Sequence, residues 1–209
     1  MAFNTKTASA VGAVIGWSAL LLQLVLIIQH RVTTIPETVV RYFSFFTILT
    51  NILVALSFSQ LYSKGISASG PLLTRPKTLT ATAVYITIVG LIYNVILRFL
   101  WAPKGWDRLA DEMLHSVIPV FYALFWFFFV PKKDIEWKNI FPWLIYPLLY
   151  LGYTLFRGSF ANWYPYPFID VAKIGYSKAL VNSAMVTAVF IVVSVLFVGI
   201  AKVTGKRSV

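Results

Sequence analysis

Long uncharged stretches alternate with short polar connections along this chain. Six windows contain no Lys, Arg, Asp or Glu: residues 8–29, 42–62, 79–97, 113–130, 139–156 and 179–201. At about 1.5 Å of rise per residue, a helix needs roughly 20 apolar residues to cross a hydrocarbon core about 30 Å thick. The fourth and fifth windows hold 18 residues each and are still adequate. The pattern predicts an all-α membrane protein, a bundle of six transmembrane helices forming one domain over residues 1–209. With Lys6 ahead of it, the first window imitates a signal peptide. Its apolar run is too long for one, and no small-x-small cleavage site follows before His30 and Arg31, so it is read as a retained span.

The connection spanning residues 157–176 is exceptional in length and content. It contains Asn162-Trp163-Tyr164-Pro165-Tyr166-Pro167-Phe168, in which two prolines block regular helix and aromatics suit a membrane interface. Two readings stand side by side, an interfacial anchor and a structured cover over a cavity. As a cover, its extended stretch would alternate Tyr164, Tyr166 and Phe168 between lipid and cavity, with Asp170 pairing Arg157 or Lys173 to fasten its base. No internal repeat stands out, which disfavours inverted-repeat transporter designs. Lys and Arg counts set the expected orientation. A cytoplasmic N-terminus leaves ten basic residues inside, Lys202, Lys206 and Arg207 among them, against eight outside, so both termini are expected in the cytoplasm.

Composition supports lipid as the solvent. The 209 residues are 59% hydrophobic and 12% charged, about half the charged share of a soluble domain. The net charge of +11 lies between apolar runs rather than on one face, so membrane lipids, not nucleic acid, are the expected partners. With no cysteine, thiolate catalysis, iron–sulfur clusters and disulfides are excluded.

Polar residues gather in the outer half of the predicted spans. Thr47 lies roughly 8 Å below the outer end of the second span and His115 roughly 9 Å below that of the fourth. Asn94, Arg98, Asn182 and Ser183 share this layer, whereas the inner half offers fewer polar groups, such as Ser57, Ser59 and Gln60. Polar side chains in lipid must find partners, so a layer shared by several helices implies a polar pocket. His115 is the only histidine within a window. Asp111 and Glu112 precede it by four and three residues, on the same helical face, where either can orient the imidazole. Ser44, Thr47, Thr50 and Asn51 form a polar stripe at i, i+3, i+6 and i+7. Hydroxyl, imidazole, carboxylate and an amide donor from Asn51 or Asn94 are the ingredients of acyl transfer. The plainer reading is that the stripe's hydroxyls bond backbone carbonyls and join helices.

Tyr146-Pro147, Tyr150, Tyr153 and Arg157-Gly158, followed by Tyr164-Pro165-Tyr166-Pro167-Phe168-Ile169-Asp170-Val171, resemble the pattern of a bacterial family of six-span membrane proteins. That family is distantly similar to the eukaryotic androgen-induced and androgen-dependent membrane hydrolases, which cleave fatty acid esters of hydroxy fatty acids with an intramembrane threonine and histidine. The resemblance implies a bacterial inner membrane location, Thr47 as nucleophile and His115 as base. The Tyr-Pro-Tyr-Pro-Phe segment is not a feature of the eukaryotic branch.

The resulting expectation is an integral membrane esterase acting on an acylated lipid that arrives sideways from the bilayer. Thr47 attacks, His115 is the base, Asp111 or Glu112 orients it, and Arg98 or Arg157 holds a lipid carboxylate. No metal or other cofactor is required. The alternative is a transporter or binding protein for a small solute or lipid. A haem carrier through His30 and His115 and a non-catalytic scaffold complete the set.

Overall fold

The computed structural model describes residues 4–205, and all regular structure within them is helical. Eight helices follow in order: α1 (Thr5–Gln29), α2 (Ile35–Phe43), α3 (Phe46–Lys64), α4 (Pro76–Val95), α5 (Gly105–Glu112), α6 (Ile118–Phe129), α7 (Ile140–Ala161) and α8 (Val171–Gly205). A π-helical turn, Met113–Val117, joins α5 to α6 without a break. Lys206 and Arg207, two of the basic residues in the orientation count, lie outside the described residues.

Among the described residues, five segments are long and apolar enough to cross a membrane: Thr5–Gln29, Phe46–Lys64, Pro76–Phe99, Gly105–Phe129 and Val171–Gly205. The chain is a multi-pass membrane protein. The predicted fifth window does form a 22-residue helix, α7, but its tyrosines, prolines, tryptophan and closing arginine lower its hydropathy below that of the other five.

Packing follows the logic of a solvent as apolar as leucine, where small residues bring helices together and large ones face lipid. Ala8, Gly12, Gly16 and Ala19 of α1 turn inward, while Val14, Leu21 and Val25 are 50–67% exposed. A β-carbon on Gly12 would lie 2.5 Å from the Phe58 ring, and one on Gly16 would lie 3.0 Å from Ala55 Cβ, so only glycine permits the contact between α1 and α3. Helix α4 is central, packing on α3, α6 and α8, with Leu79, Ala83, Val84 and Ile86 fully buried.

Two predicted elements differ in detail. The second window is not one helix: α2 ends at Phe43 and α3 restarts at Phe46, with Phe45 extended (φ −82°, ψ 128°) between them. The predicted loop over 157–176 is shorter, because α7 continues to Ala161 and ends at Asn162 in the left-handed region (φ 47°). The part outside α-helix is 162–170, with a 3-10 turn at Pro167–Ile169, and Gly175 (φ 77°) then kinks the start of α8.

Candidate active site

Tyrosines from α7 hold the α2–α3 break in place. Tyr146, Tyr150 and Tyr153 lie at i, i+4 and i+7, on one helix face. The Tyr150 hydroxyl donates to the Ser44 carbonyl (2.9 Å), Tyr153 Oη meets Ser44 Oγ (3.0 Å), and Tyr146 Oη meets Thr50 Oγ1 (3.3 Å). One turn on, Arg157 reaches Glu37 of α2 (2.8 Å), which also accepts from Arg41 (2.8 Å). Those hydrogen bonds and the two guanidinium charges hold the Glu37 carboxyl below its ordinary pKa, Arg41 contributing most.

Breaking the helix turns Thr47 from a mid-span residue into the second residue of α3. The first N–H groups of a helix have no partner within it and carry its positive dipole end. No side chain of the preceding Phe45 caps them. Tyr166 accepts instead: its Oη lies 3.3 Å from the Thr47 N–H and 3.4 Å from Thr47 Oγ1.

A proline one turn below shapes the histidine's surroundings. Pro119 has no N–H to return to the His115 carbonyl four residues back, and its ring crowds that carbonyl. The helix widens into the π-helical turn that contains His115, and the freed carbonyls find asparagines on neighbouring helices. Asn94 Nδ2 donates to His115 O (3.1 Å) and Gly90 O (2.8 Å); Asn51 Nδ2 donates to Leu114 O (3.3 Å) and Thr47 O (2.8 Å). Each amide has two hydrogens and two acceptors, so neither Asn51 nor Asn94 is free to serve an oxyanion as expected.

The His115 ring is fixed on both sides. Its Nδ1 faces two acceptors, the Asp111 carbonyl at 2.9 Å and the Asp111 carboxylate at 3.0 Å, so Nδ1 carries the proton and Nε2 is left as the acceptor. Tyr93 stacks on the imidazole, with centroids 4.1 Å apart, and its hydroxyl donates to the other Asp111 oxygen. Of the two candidate orienting carboxylates, the structure gives the role to Asp111. Glu112 turns away to Arg98 (2.6 Å) and Ser116 (2.9 Å).

Thr47 and His115 share two cavities. One, of about 510 Å³, opens among α1, α2, α5 and the 162–170 segment, and it includes Trp101, Asp107, Tyr164 and Lys173. The other is smaller, about 80 Å³, and apolar, set among α3, α4, α7 and α8 with Ile88, Leu151, Val186 and Phe190. Four residues belong to both and form the junction: Thr47, Leu97, His115 and Tyr166. Thr47 Oγ1 bonds Tyr166 rather than His115.

The expected anion-binding arginines do not line either cavity. Arg98 is paired with Glu112 and lies over Tyr93 (5.3 Å), and Arg157 is paired with Glu37 and lies over Trp163 (5.2 Å). Each is held by a glutamate on another helix, a pairing that sequence spacing does not reveal, and Arg157 shares its glutamate with Arg41. Asp170 bonds Lys173 (3.3 Å) and not Arg157.

The aromatic segment does cover the junction. Trp163 carries both the Arg41 and Arg157 guanidinium groups over its ring, Tyr164 fills the space over Gly158, and Tyr166 and Phe168 stack in parallel, centroids 5.3 Å apart. Tyr164 and Tyr166 border the larger cavity, Tyr166 and Phe168 the smaller, so these rings line the cavities rather than alternating with lipid. A methyl group on Gly158 would come within 2.0 Å of the Tyr164 ring, which explains the glycine.

Sequence reasoning placed Tyr166 in the cover but missed its bond to Thr47, and it missed Tyr93 and the helix start at Phe46. Among the described residues, no group of three or more His, Cys, Asp or Glu side chains converges to hold a metal ion. Compared with protein-family models, curated proteins and solved structures, the chain finds no match, and function must be argued from this geometry.

Proposed function

We propose that the protein is an intramembrane threonine-dependent esterase whose substrate is an acylated lipid, with the ester carbonyl at the junction of the two cavities. The observation that carries this reading is the junction itself. A hydroxyl, an oriented imidazole and helix-start N–H groups that the Tyr166 hydroxyl satisfies in place of a helical partner meet where an apolar chamber adjoins a more polar one. Acyl chain and head group of a lipid ester differ in the same way.

In this mechanism the substrate carbonyl oxygen displaces the Tyr166 hydroxyl from the start of α3. Thr47 Oγ attacks the carbonyl carbon while its proton passes to His115 Nε2. The resulting oxyanion lies at the Thr47 N–H and its neighbours, where dipole and donors favour negative charge. Asp111 keeps the proton on Nδ1 and stabilises the imidazolium. Collapse breaks the ester C–O bond, and His115 returns the proton to the departing alcohol oxygen. Water, deprotonated by His115, then hydrolyses the acyl-threonine and restores the enzyme.

The finer topology belongs to the same reading. Helix α7 at 22 residues spans about 33 Å and presents Phe141, Leu149, Phe156 and Phe160, each 68–78% exposed, as a lipid-facing side. On this reading it is the fifth of six spans in chain order, and the basic residue balance favours both termini on the cytoplasmic side of a bacterial inner membrane. A transporter needs a path through the other half of the bundle. There Phe58, Tyr122, Phe125 and Trp126 are at most 2% exposed and form an aromatic plug, which favours the enzyme.

A hydroxyl-directed fluorophosphonate probe tests the reading. Purified protein should label, and Thr47→Ala should abolish labelling without changing thermal stability by more than a few degrees. Labelling that persists in Thr47→Ala removes the threonine from the chemistry.

A further inference from the structure

The larger cavity also constrains the head group, a step that rests on the reading of Thr47 and His115 given above. Its wall is aromatic, with Tyr42, Phe45, Trp101, Trp163, Tyr164 and Tyr166. Its charged side chains are three carboxylates, Asp107, Asp111 and Asp170, against one ammonium, Lys173. Lys173 is occupied by Asp170 at 3.3 Å. Asp111 is held by Tyr93 and His115 at the floor. Among the described residues, Asp107 at the mouth is paired with the His30 imidazole (3.2 Å), a partner that carries charge only when protonated. The nearby arginines do not line the cavity: Arg98 is paired with Glu112, while Arg41 and Arg157 share Glu37 and lie over the Trp163 ring.

A concave site with π faces on several sides and an excess of carboxylates attracts a weakly hydrated cation and repels an anion. A quaternary ammonium group fits both properties, since its methyl groups pack on rings and it has no N–H needing acceptors. We propose that this cavity receives the quaternary ammonium head of a lipid ester and discriminates against a carboxylate head. The aromatic wall supplies the contact, and Asp107 supplies the charge at the entrance.

Occupancy can be measured without turnover. The chain has no cysteine, so Pro103→Cys places a single thiol in the cavity wall. Its rate of modification by the neutral reagent N-ethylmaleimide is followed in maltoside micelles, in a Thr47→Ala background. Dodecyltrimethylammonium is added at a fixed mole fraction and compared with dodecylphosphocholine, dodecanoate and tetramethylammonium. The ammonium amphiphile should slow modification about threefold or more, and dodecanoate should not. Protection by dodecylphosphocholine as well identifies a phosphocholine-type head, and its failure to protect identifies a purely cationic one. The same protein with Asp107→Asn and Trp101→Leu, two partly exposed positions, should lose the protection in identical micelles, which cancels any effect of micelle charge. Equal or stronger protection by dodecanoate, or protection unchanged in the double variant, overturns the proposal. So does protection by tetramethylammonium alone at equal concentration, which would make the ligand a soluble cation. Because the thiol reports binding only, these outcomes are independent of whether Thr47 reacts with the fluorophosphonate.

Discussion

Two side chains of the junction were legible in the sequence because they are unusual in an apolar span. An imidazole and a hydroxyl stripe stand out against leucine and valine, and each must find a partner in lipid. Tyr93 and the bond between Tyr166 and Thr47 were not legible, since tyrosine in a membrane protein ordinarily marks the interface, and only the fold brings these hydroxyls to the site. Their roles differ and can be separated. Tyr166→Phe keeps the ring but removes the oxygen now accepting from the Thr47 N–H. Its loss vacates the donors that the substrate carbonyl needs, so fluorophosphonate labelling should become several-fold faster; slower labelling would instead make the hydroxyl part of the reacting set. His115→Gln removes the proton acceptor and should slow labelling by about 100-fold or more, in keeping with the usual contribution of a general base. Glu112→Gln, which loosens Arg98 but not the imidazole, should have far less effect on the same rate.

At the scale of elements, the site depends on two local departures from regular helix. One is the α2–α3 break, which converts mid-span amides into a helix N-terminus. The uncharged window over residues 42–62 carries no sign of it, because no proline or glycine lies there; the tyrosines of α7 supply the compensating bonds. Tyr150→Phe leaves the Ser44 carbonyl short of a donor inside the bundle. It should cost about 1 kcal/mol in thermal or denaturant stability and slow labelling at Thr47, whereas an unaltered labelling rate would show that the break stands without it. The other departure is the π-helical turn, and here Pro119 was a visible signal. Pro119→Ala restores an N–H that can close a regular turn with His115, rotating the imidazole away from the junction. Labelling should fall at least tenfold while thermal stability is kept or raised. Loss of both together would point to general misfolding rather than to the rotation.

For the whole molecule, topology is the first measurement. Single cysteines at Ser69 and Asn162 lie in connections at opposite ends of the bundle, and an impermeant thiol reagent added outside should reach only Asn162→Cys. The reverse pattern inverts the orientation, and labelling at both positions argues against α7 as a span. Between elements, the Glu37 brace joins α2 to α7 through Arg41 and Arg157. Its carboxyl is depressed below 4.5 in the folded state, so the brace contributes fully above that value and is lost as pH falls through the lowered pKa. A comparison of wild type with Glu37→Gln should therefore show a melting difference at neutral pH that shrinks below about pH 4.5.

The sequence by itself determined that the chain is helical, lies in lipid and concentrates polar groups toward one end, since these follow from hydropathy and spacing summed along each segment. It also marked Thr47, His115 and the Tyr-Pro-Tyr-Pro-Phe segment as out of place. Tertiary structure decided what they do. Which arginines are paired with glutamates, which ring stacks on the imidazole, and which amides are taken up by carbonyls that Pro119 leaves unpaired all depend on contacts between helices far apart in sequence. In lipid every buried donor seeks an acceptor on a neighbouring span, and the choice among them is made by helix placement, which no single segment encodes.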